Sequence, residues 1–308
     1  MNSRILVSGV SGPIGAALLP SLKTSGWSVV RLVRGQAAGS DTSTNNSIDN
    51  DQIAWDPAKA IAPATVSGFD AVIHLAGESI MGRWTAGKKA KILKSRVSGT
   101  FNLAQALAQA EEKPKVFVCG SAIGYYGNRG EEMLREESAP GMGFLAQVCQ
   151  EWEEATTPAV QADIRTAHLR TGVVLSSKGG ALGAMLLPFK LGLGGRTGDG
   201  KQWMSWIDVR DMVGAIHHIL KNDLIQGPVN MVAPKPVRNA EFAETLAGVL
   251  SRPSIFPMPA FAAKLVFGEM GEELLLASQK VEPGKLIASG YPFRYRQLRA
   301  SLEGLLKR

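Results

Sequence analysis

Apolar positions recur along the chain with two different periods. In the first half, short runs dense in Val, Ile and Leu (RILVSG, WSVVRLV, DAVIHLAG, KVFVCGSA, TAHLRTGVVL) alternate with longer stretches in which apolar residues return every three or four positions. The runs have the length and β-branched content of buried strands, and the stretches have the period of a helical face. Strands alternating with helices build parallel βαβ units, because a parallel partner strand needs a crossover. The expectation is an α/β fold with a Rossmann-type doubly wound parallel sheet. In FLAQVCQEWEEA, the residues Phe144, Leu145, Val148, Cys149, Trp152 and Ala155 share one helical face and predict a helix packed inward.

The pattern changes after about residue 175. SSKGGALGAMLLPFKLGLGGRTGDGKQW carries eight glycines between Gly179 and Gly200, interrupting an apolar helix. A strand-like Trp-Ile-Asp, a helix from Asp211 to Lys221 and a Pro-rich tail of short helices from Asn239 follow. Residues 1–175 are expected to form the Rossmann domain, which also receives a strand and helix from about 203–232. Residues 176–202 and 233–308 are expected to form a smaller C-terminal substrate-side lobe, closing over the carboxyl ends of the strands, where open α/β sheets bind ligands. The polar, Gly/Ser/Asn-rich stretch Gln36 to Gln52 predicts a mobile surface loop. The sequence holds no internal repeat.

Composition narrows the function classes. Of the 308 residues 45% are hydrophobic, spread evenly, and no apolar run approaches the ~20 residues that span a bilayer. MNSRILVSG enters a strand after four residues without the apolar core of a secretory signal, so a cytoplasmic protein is expected. Cys119 and Cys149 are the only cysteines and lack zinc-site spacing; no metal is expected, and both read as small buried hydrophobes. The net charge of +7 is scattered rather than gathered into a stripe with aromatics, which disfavours a nucleic-acid partner and suits a small anionic ligand. Oligomeric state, monomer or homodimer, is left open.

The first strand ends in G-V-S-G-P-I-G and runs directly into a helix. Gly9, Gly12 and Gly15, spaced GxxGxxG, permit a tight turn and close approach of backbone to a pyrophosphate. The helix start, with Ser11, Pro13 and Ile14, supplies unpaired N–H groups and partial positive charge. Pro13 suits the first helical position, whereas Pro20 predicts a kink or tightening of the same helix. The end of the second strand decides which dinucleotide is held: a carboxylate there binds a ribose 2′-hydroxyl, a cation binds a 2′-phosphate. WSVVRLVRG ends in Arg34 with no acid until Asp41, so NADP(H) is the expected cofactor.

With these motifs in view, GVSGPIG, IHLAGE, GSAIGYYG, LRTGVVL and GDGKQWMSWIDVRD resemble an extended short-chain dehydrogenase/reductase. More closely, AGESIMGRW, LKSRVSGT, GYYGNRGEE, GGALGAMLLPFKLGLGG, GPVNMVAPKPVRNAEFA and LLLASQKVEPGKLIASGYPFRY resemble the atypical "epimerase family" members once labelled cell-division-inhibitor-like, within the NAD-dependent epimerase/dehydratase superfamily. The resemblance spans essentially the whole chain and implies a Rossmann core, bound NADP(H) and a family-specific C-terminal region. It implies that Leu75, Ala76 and Gly77 lie against adenosine and ribose, that Glu78 orders the loop over the cofactor or caps the next helix, and that Arg96 reaches the cofactor or is a helix-surface charge. Arg170, Gly172 and Val173 are expected at the nicotinamide end, with Arg170 in an ion pair or against phosphate. Gln202, Trp203 and Trp206 are expected near substrate, or in the core. Asp56 approaches the adenine edge or forms a turn, and His74 is a base or, more simply, a core histidine bonded to backbone.

In the wider superfamily a Tyr-x-x-x-Lys pair on a helix moves the proton while nicotinamide passes hydride. Aligned by resemblance, Leu145 stands for that tyrosine and Cys149 for that lysine. Tyr125, Tyr126, Tyr291 and Tyr295 are followed four residues later by Arg129, Gly130, Tyr295 and Arg299, so the pair occurs nowhere else. One reading is an oxidoreductase or epimerase acting on a small carbonyl, hydroxyl or nucleotide-sugar-like substrate, with Tyr125 or Tyr126, helped by Ser121, as proton donor; these tyrosines equally suit aromatic pocket walls. The other is a non-catalytic NADPH-binding redox sensor or regulator, in which Cys149 is either a reactive thiol or inert packing.

Overall fold

The structure is a computed structural model that describes residues 3–35 and 51–307. Seven parallel strands form its central sheet: β1 (Arg4–Ser8), β2 (Ser28–Arg34), β3 (Gln52–Trp55), β4 (Ala71–His74), β5 (Val116–Ala122), β6 (Arg165–Thr171) and β7 (Gly227–Met231). Their order is β7-β6-β5-β4-β1-β2-β3, so the chain reverses direction across the sheet between β1 and β4. That is the expected doubly wound arrangement, and ligands bind at such a reversal. Of the loop expected from Gln36 to Gln52, residues 36–50 lie outside the described residues, and Gln52 itself opens β3.

Side-chain alternation explains the layers. Ile5 and Val7 of β1 point to one face, where they meet Leu18 and Leu22 of α1 (Pro13–Thr24) and Met212, Ile216 and Ile219. Leu6 points to the other face with Val72 and Phe117, against Leu103 and Leu107 of α2 (Ala86–Ala108) and Trp152 of α3 (Phe144–Glu154). Each such Leu or Ile, fully buried, stabilises by about 1.5–3 kcal/mol. α1 runs from Pro13 to Thr24 as one helix with Pro20 inside it. Leu18 and Leu22, buried on either side of the proline, hold both halves on the sheet.

The strand expected over TAHLRTGVVL divides at Gly172. A Cβ there would lie 2.6 Å from Ser205 O and 2.7 Å from a Val232 methyl, so only glycine lets these backbones close up. Val173–Leu175 then leaves the sheet and pairs with Trp206–Asp208. Helix α4 (Gly180–Lys190), α6 (Asn239–Val249) and α7 (Leu298–Leu306) build a separate core around Leu182, Phe189, Trp206, Phe242, Leu246 and Leu302. α5 (Val209–Lys221) joins the two cores, starting two residues before the expected Asp211. Asp208 caps it through Arg210 N (2.8 Å) and accepts from Ser301 Oγ (2.6 Å), while Asp211 accepts from Arg294 N and Tyr295 N (2.8 Å each). Two buried carboxylates thereby pin the C-terminal tail. No helix of the described residues is long and apolar enough to cross a membrane.

Candidate functional site

The glycine turn sits at the carboxyl end of β1. Gly9 has φ +75°, and a Cβ on it would meet Leu75 O at 2.6 Å and Ala76 N at 2.7 Å. A Cβ on Gly15 would collide with Gly9 O and stand 2.6 Å from Val10 Cα. Both positions are closed from behind by backbone, and only glycine fits. Gly12 differs: its sole neighbour is Gly9 O at 3.5 Å, and it opens α1 with no side-chain cap and no acid in the first turn. The helix start thus presents first-turn amides, beside exposed Ser11 and half-buried Pro13 and Ile14, with no acid in its own first turn. This is the shape and polarity a pyrophosphate requires. Gly179 and Gly180 pass over the same spot, near Pro13, so the lobe roofs the turn. Arg34 ends β2 exposed, beside Trp55 of β3.

The floor under this cleft is tied by side chains. His74 is fully buried, and its Nδ1 is 2.6 Å from Ser8 Oγ; both residues immediately precede the loops that line the turn. The expected backbone bond is replaced by this serine because β1 and β4 are paired in register at Ser8 and His74. Burial pushes the His74 pKa down to about 4, so the ring is neutral and unsuited to act as a base toward solvent. Leu75 and Ala76 are half-buried and Gly77 exposed at the strand end. Glu78 pairs with Lys88 at 2.7 Å, which lowers its pKa; α2 is capped by Thr85 rather than by Glu78. Arg96 lies against Gly77 and over the Trp152 ring (5.0 Å to its centre), so it is not a helix-surface charge.

α3 occupies the place where a Tyr/Lys pair would stand. Leu145 and Cys149 are both buried, and a Cβ on Gly124 would sit 3.2 Å from Leu145 Cβ and 3.8 Å from Cys149 Sγ. Burial raises the Cys149 thiol to about 12, which makes it packing rather than a thiolate. The start of α3 is capped from far along the chain: Glu273 accepts from Phe144 N and Leu145 N, each at 2.8 Å.

Beside α3 runs a closed polar network. Arg170 makes a two-pronged ion pair with Glu153 (Nε to Oε1 2.8 Å, Nη2 to Oε2 2.9 Å), and its Nη1 donates to Tyr126 OH (3.0 Å) and Glu136 O (3.1 Å). Burial alone would depress this guanidinium; the Glu153 bonds outweigh it, and the Arg170 pKa is raised. Ser121 donates to Glu153 Oε1 at 2.7 Å, and Tyr126 donates to Asn230 Oδ1 at 2.7 Å. These bonds correct the expectation for Ser121 and Tyr126 as free proton donors and decide between the two alternatives for Arg170 in favour of the ion pair. Ser121 and Tyr126 are buried with their protons engaged, and burial raises Tyr126 to about 12; Arg170 faces Glu153 rather than a phosphate. Tyr125 alone of the three candidate groups stays half-buried, its ring 3.5 Å from the Arg170 guanidinium. Gly172 and Val173 serve the strand division described above.

In the lobe, Trp206 is core and donates to Lys235 O, and Gln202 donates to Thr197 O and Leu275 O. The Trp203 ring is within cation–π distance of Arg238 (4.0 Å) and Lys280 (4.6 Å) and donates to Glu131 at the surface. Asp56 forms a turn by accepting from Ala58 N. Glu153 and Glu273 escaped sequence reasoning; for Glu153 the signal was its register one turn beyond Cys149 on the α3 face.

Comparison with known proteins accounts for this combination. A family model described as NAD dependent epimerase/dehydratase family matches residues 5–231. The chain belongs to that family. A second model, a domain of unknown function (DUF1731), matches residues 258–305, the part of this family member that carries Glu273. The chain is 36% identical over 303 residues to epimerase family protein Mb2239 of Mycobacterium bovis, covering 98% of this chain and 97% of that one. Among solved structures it is similar to human epimerase family protein SDR39U1 (isoform 2) with NADPH, with a TM-score of 0.86 at 33% identity over 98% of both chains. It is also similar to a nucleoside-diphosphate sugar epimerase from Corynebacterium glutamicum, with a TM-score of 0.80 at 34% identity, covering 99% of this chain and 58% of that one.

Proposed function

We propose that this family member binds NADP(H) and acts as an oxidoreductase on a small carbonyl, hydroxyl or nucleotide-sugar-like substrate. The observation that carries the proposal is the asymmetry of the glycine turn, closed behind Gly9 and Gly15 and open in front of Gly12. A pyrophosphate fits that open side against the α1 amides. Arg34, exposed at the end of β2, is placed for a 2′-phosphate, and the NADPH carried by the human relative supports that choice. Leu75, Ala76 and Gly77 then border the nucleoside, and Gly179 and Gly180 limit water above the turn. When bound, NADPH supplies a hydride to a carbonyl carbon. The carbonyl oxygen needs a proton or a positive partner, and Tyr125 is the phenol left for that role.

A second reading, cofactor binding without turnover, is favoured by one observation: the bonds that engage Ser121 and Tyr126 beside apolar Leu145 and Cys149. Calorimetric titration tests the shared core of both. NADPH is expected to bind wild type at least about ten-fold more tightly than NADH, the scale of one charge-assisted phosphate contact, and Arg34→Ala to erase most of that margin. Equal affinities in wild type would remove the NADP(H) assignment. NADPH oxidation across a carbonyl panel separates the two readings, since only the first yields turnover that Tyr125→Phe slows.

A further inference from the structure

The large apolar side chains left exposed among the described residues are not scattered. More than half of them lie in two short segments, 187–193 and 255–266. The segments interlock: Met258 N donates to Arg196 O and Gly198 N to Met258 O (2.8 Å each), Arg252 Nε donates to Lys190 O (2.9 Å), and a Cβ on Gly195 would strike Phe256 O. At the end of α4, Leu187 and Leu191 stand one turn apart and are 67% and 64% exposed. Just past Met258 comes the helix Ala260–Phe267, whose inner face is occupied: Ala263 is buried against Gly271, and Phe267 packs toward Trp84 and Met270. Its outer face carries Phe261 and Leu265, also one turn apart and each 73% exposed. A single exposed leucine is ordinary, but a concentration of this kind marks a surface that meets a partner.

Charge decides which partner. Lys190 and Arg196 are exposed along the first segment and Arg252 adjoins it, and among the described residues none of the three has a carboxylate partner. Exposed Arg83 lies 4.0 Å from the Cβ position of Gly268 at the end of the helix and is likewise without an acid. Two acids nearby are already neutralised, Glu269 by Lys89 (2.8 Å) and Glu272 by Lys264. Glu244, which borders a hollow with Arg196, and Asp199, which accepts from Lys201 N, offset only part of the four cations. A second copy docked about a two-fold axis would set these same cations face to face. Acidic lipid headgroups neutralise them, while the apolar side chains enter the boundary between headgroups and acyl chains. We infer that this edge of the molecule docks on the surface of a bilayer containing anionic lipid, with Phe261 and Leu265 inserted and Lys190, Arg196 and Arg252 against the phosphates. Such docking is peripheral and needs no membrane-crossing helix. It stands whether or not the glycine turn holds NADP(H).

Flotation of the full chain with vesicles tests this, using phosphatidylcholine alone and phosphatidylcholine mixed with phosphatidylglycerol in equal parts. Wild type is expected to bind the mixed vesicles at least about ten-fold more strongly than the neutral ones, and to lose most of that margin at high salt. Phe261→Ser combined with Leu265→Ser is expected to weaken binding to mixed vesicles at least about ten-fold. Lys190→Gln combined with Arg196→Gln is expected to reduce the preference for anionic lipid at least about five-fold. All four side chains are exposed, so urea unfolding should be unchanged in both variants, which separates loss of docking from loss of fold. Wild type that ignores the mixed vesicles, or floats equally with both kinds, overturns the inference. So does either variant that binds as wild type does. Light scattering without lipid adds a third route: a dimer that the serine pair converts to monomer would make this edge a contact between copies and overturn lipid docking. If the serine pair proves unstable, the glutamine pair decides.

Discussion

The glycine turn and the α3 region treat their polar groups in opposite ways. At the turn, amides at the start of α1 are left without a cap or acid, and the backbone behind them is closed by contacts only glycine allows. At α3 the helix start is capped by Glu273, and Ser121, Glu153, Arg170, Tyr126 and Asn230 satisfy one another. Unfilled donors signal a ligand, while satisfied ones signal structure. In this family member the cofactor side keeps unfilled donors, and the α3 side is a buried brace.

The brace gives the largest expected effect. Glu153 and Arg170 have side chains 12% and 4% exposed, so removing one partner strands a buried charge. Glu153→Ala is expected to cost about 3–5 kcal/mol in urea unfolding, and the double change Glu153→Met, Arg170→Met much less, because a pair exchanged for apolar groups leaves no charge behind. An Ala variant as stable as wild type would show that the network is not the brace described.

The two regions also differed in legibility. The glycine spacing of the turn lies in seven consecutive residues, and the backbone constraint on Gly9 and Gly15 is a property of residue type. The sheet was legible for a similar reason, since strand periodicity is local. The brace joins Tyr126 to Asn230 and Phe144 to Glu273 across more than a hundred residues, and no local pattern predicts such partners. Tyr126 and Ser121 therefore read as available chemistry until burial showed their bonds engaged. For Trp206 the core reading is the one that holds, a choice composition alone leaves open because it does not separate a core tryptophan from one that lines a pocket. The absence of Tyr and Lys at Leu145 and Cys149 was legible, but not the carboxylate one turn further on.

The floor beneath the turn should reveal itself through pH. His74 has its pKa lowered by burial from the ordinary 6.5 to about 4, so the unfolded chain takes up the proton first as pH falls. Stability from this group is complete above about pH 6.5 and declines as pH falls toward 4, by about 3 kcal/mol in all. Urea unfolding from pH 7 to 4 measures the slope, and His74→Gln is expected to flatten that part of it. A slope identical in the variant would place the acid sensitivity elsewhere and leave the Ser8 and His74 bond without energetic weight.

The smallest expected change in stability is also the most diagnostic, because it sets two glycines of one turn against each other. In Gly15→Ala the new methyl runs into Gly9 O and lies close to Val10 Cα, neither of which can yield without moving the turn. Overpacking of that kind costs about 1–3 kcal/mol. In Gly12→Ala the methyl meets only Gly9 O at 3.5 Å, and φ at −74° suits any residue, so stability should change by less than about 1 kcal/mol. NADPH affinity should respond differently, falling at least about ten-fold in Gly12→Ala because the methyl fills the space a pyrophosphate needs. Urea unfolding beside calorimetry separates the two effects. If Gly12→Ala keeps both stability and NADPH affinity, the open side of the turn is not where the dinucleotide lies, and the contrast between an open cofactor side and a closed α3 side loses its first half.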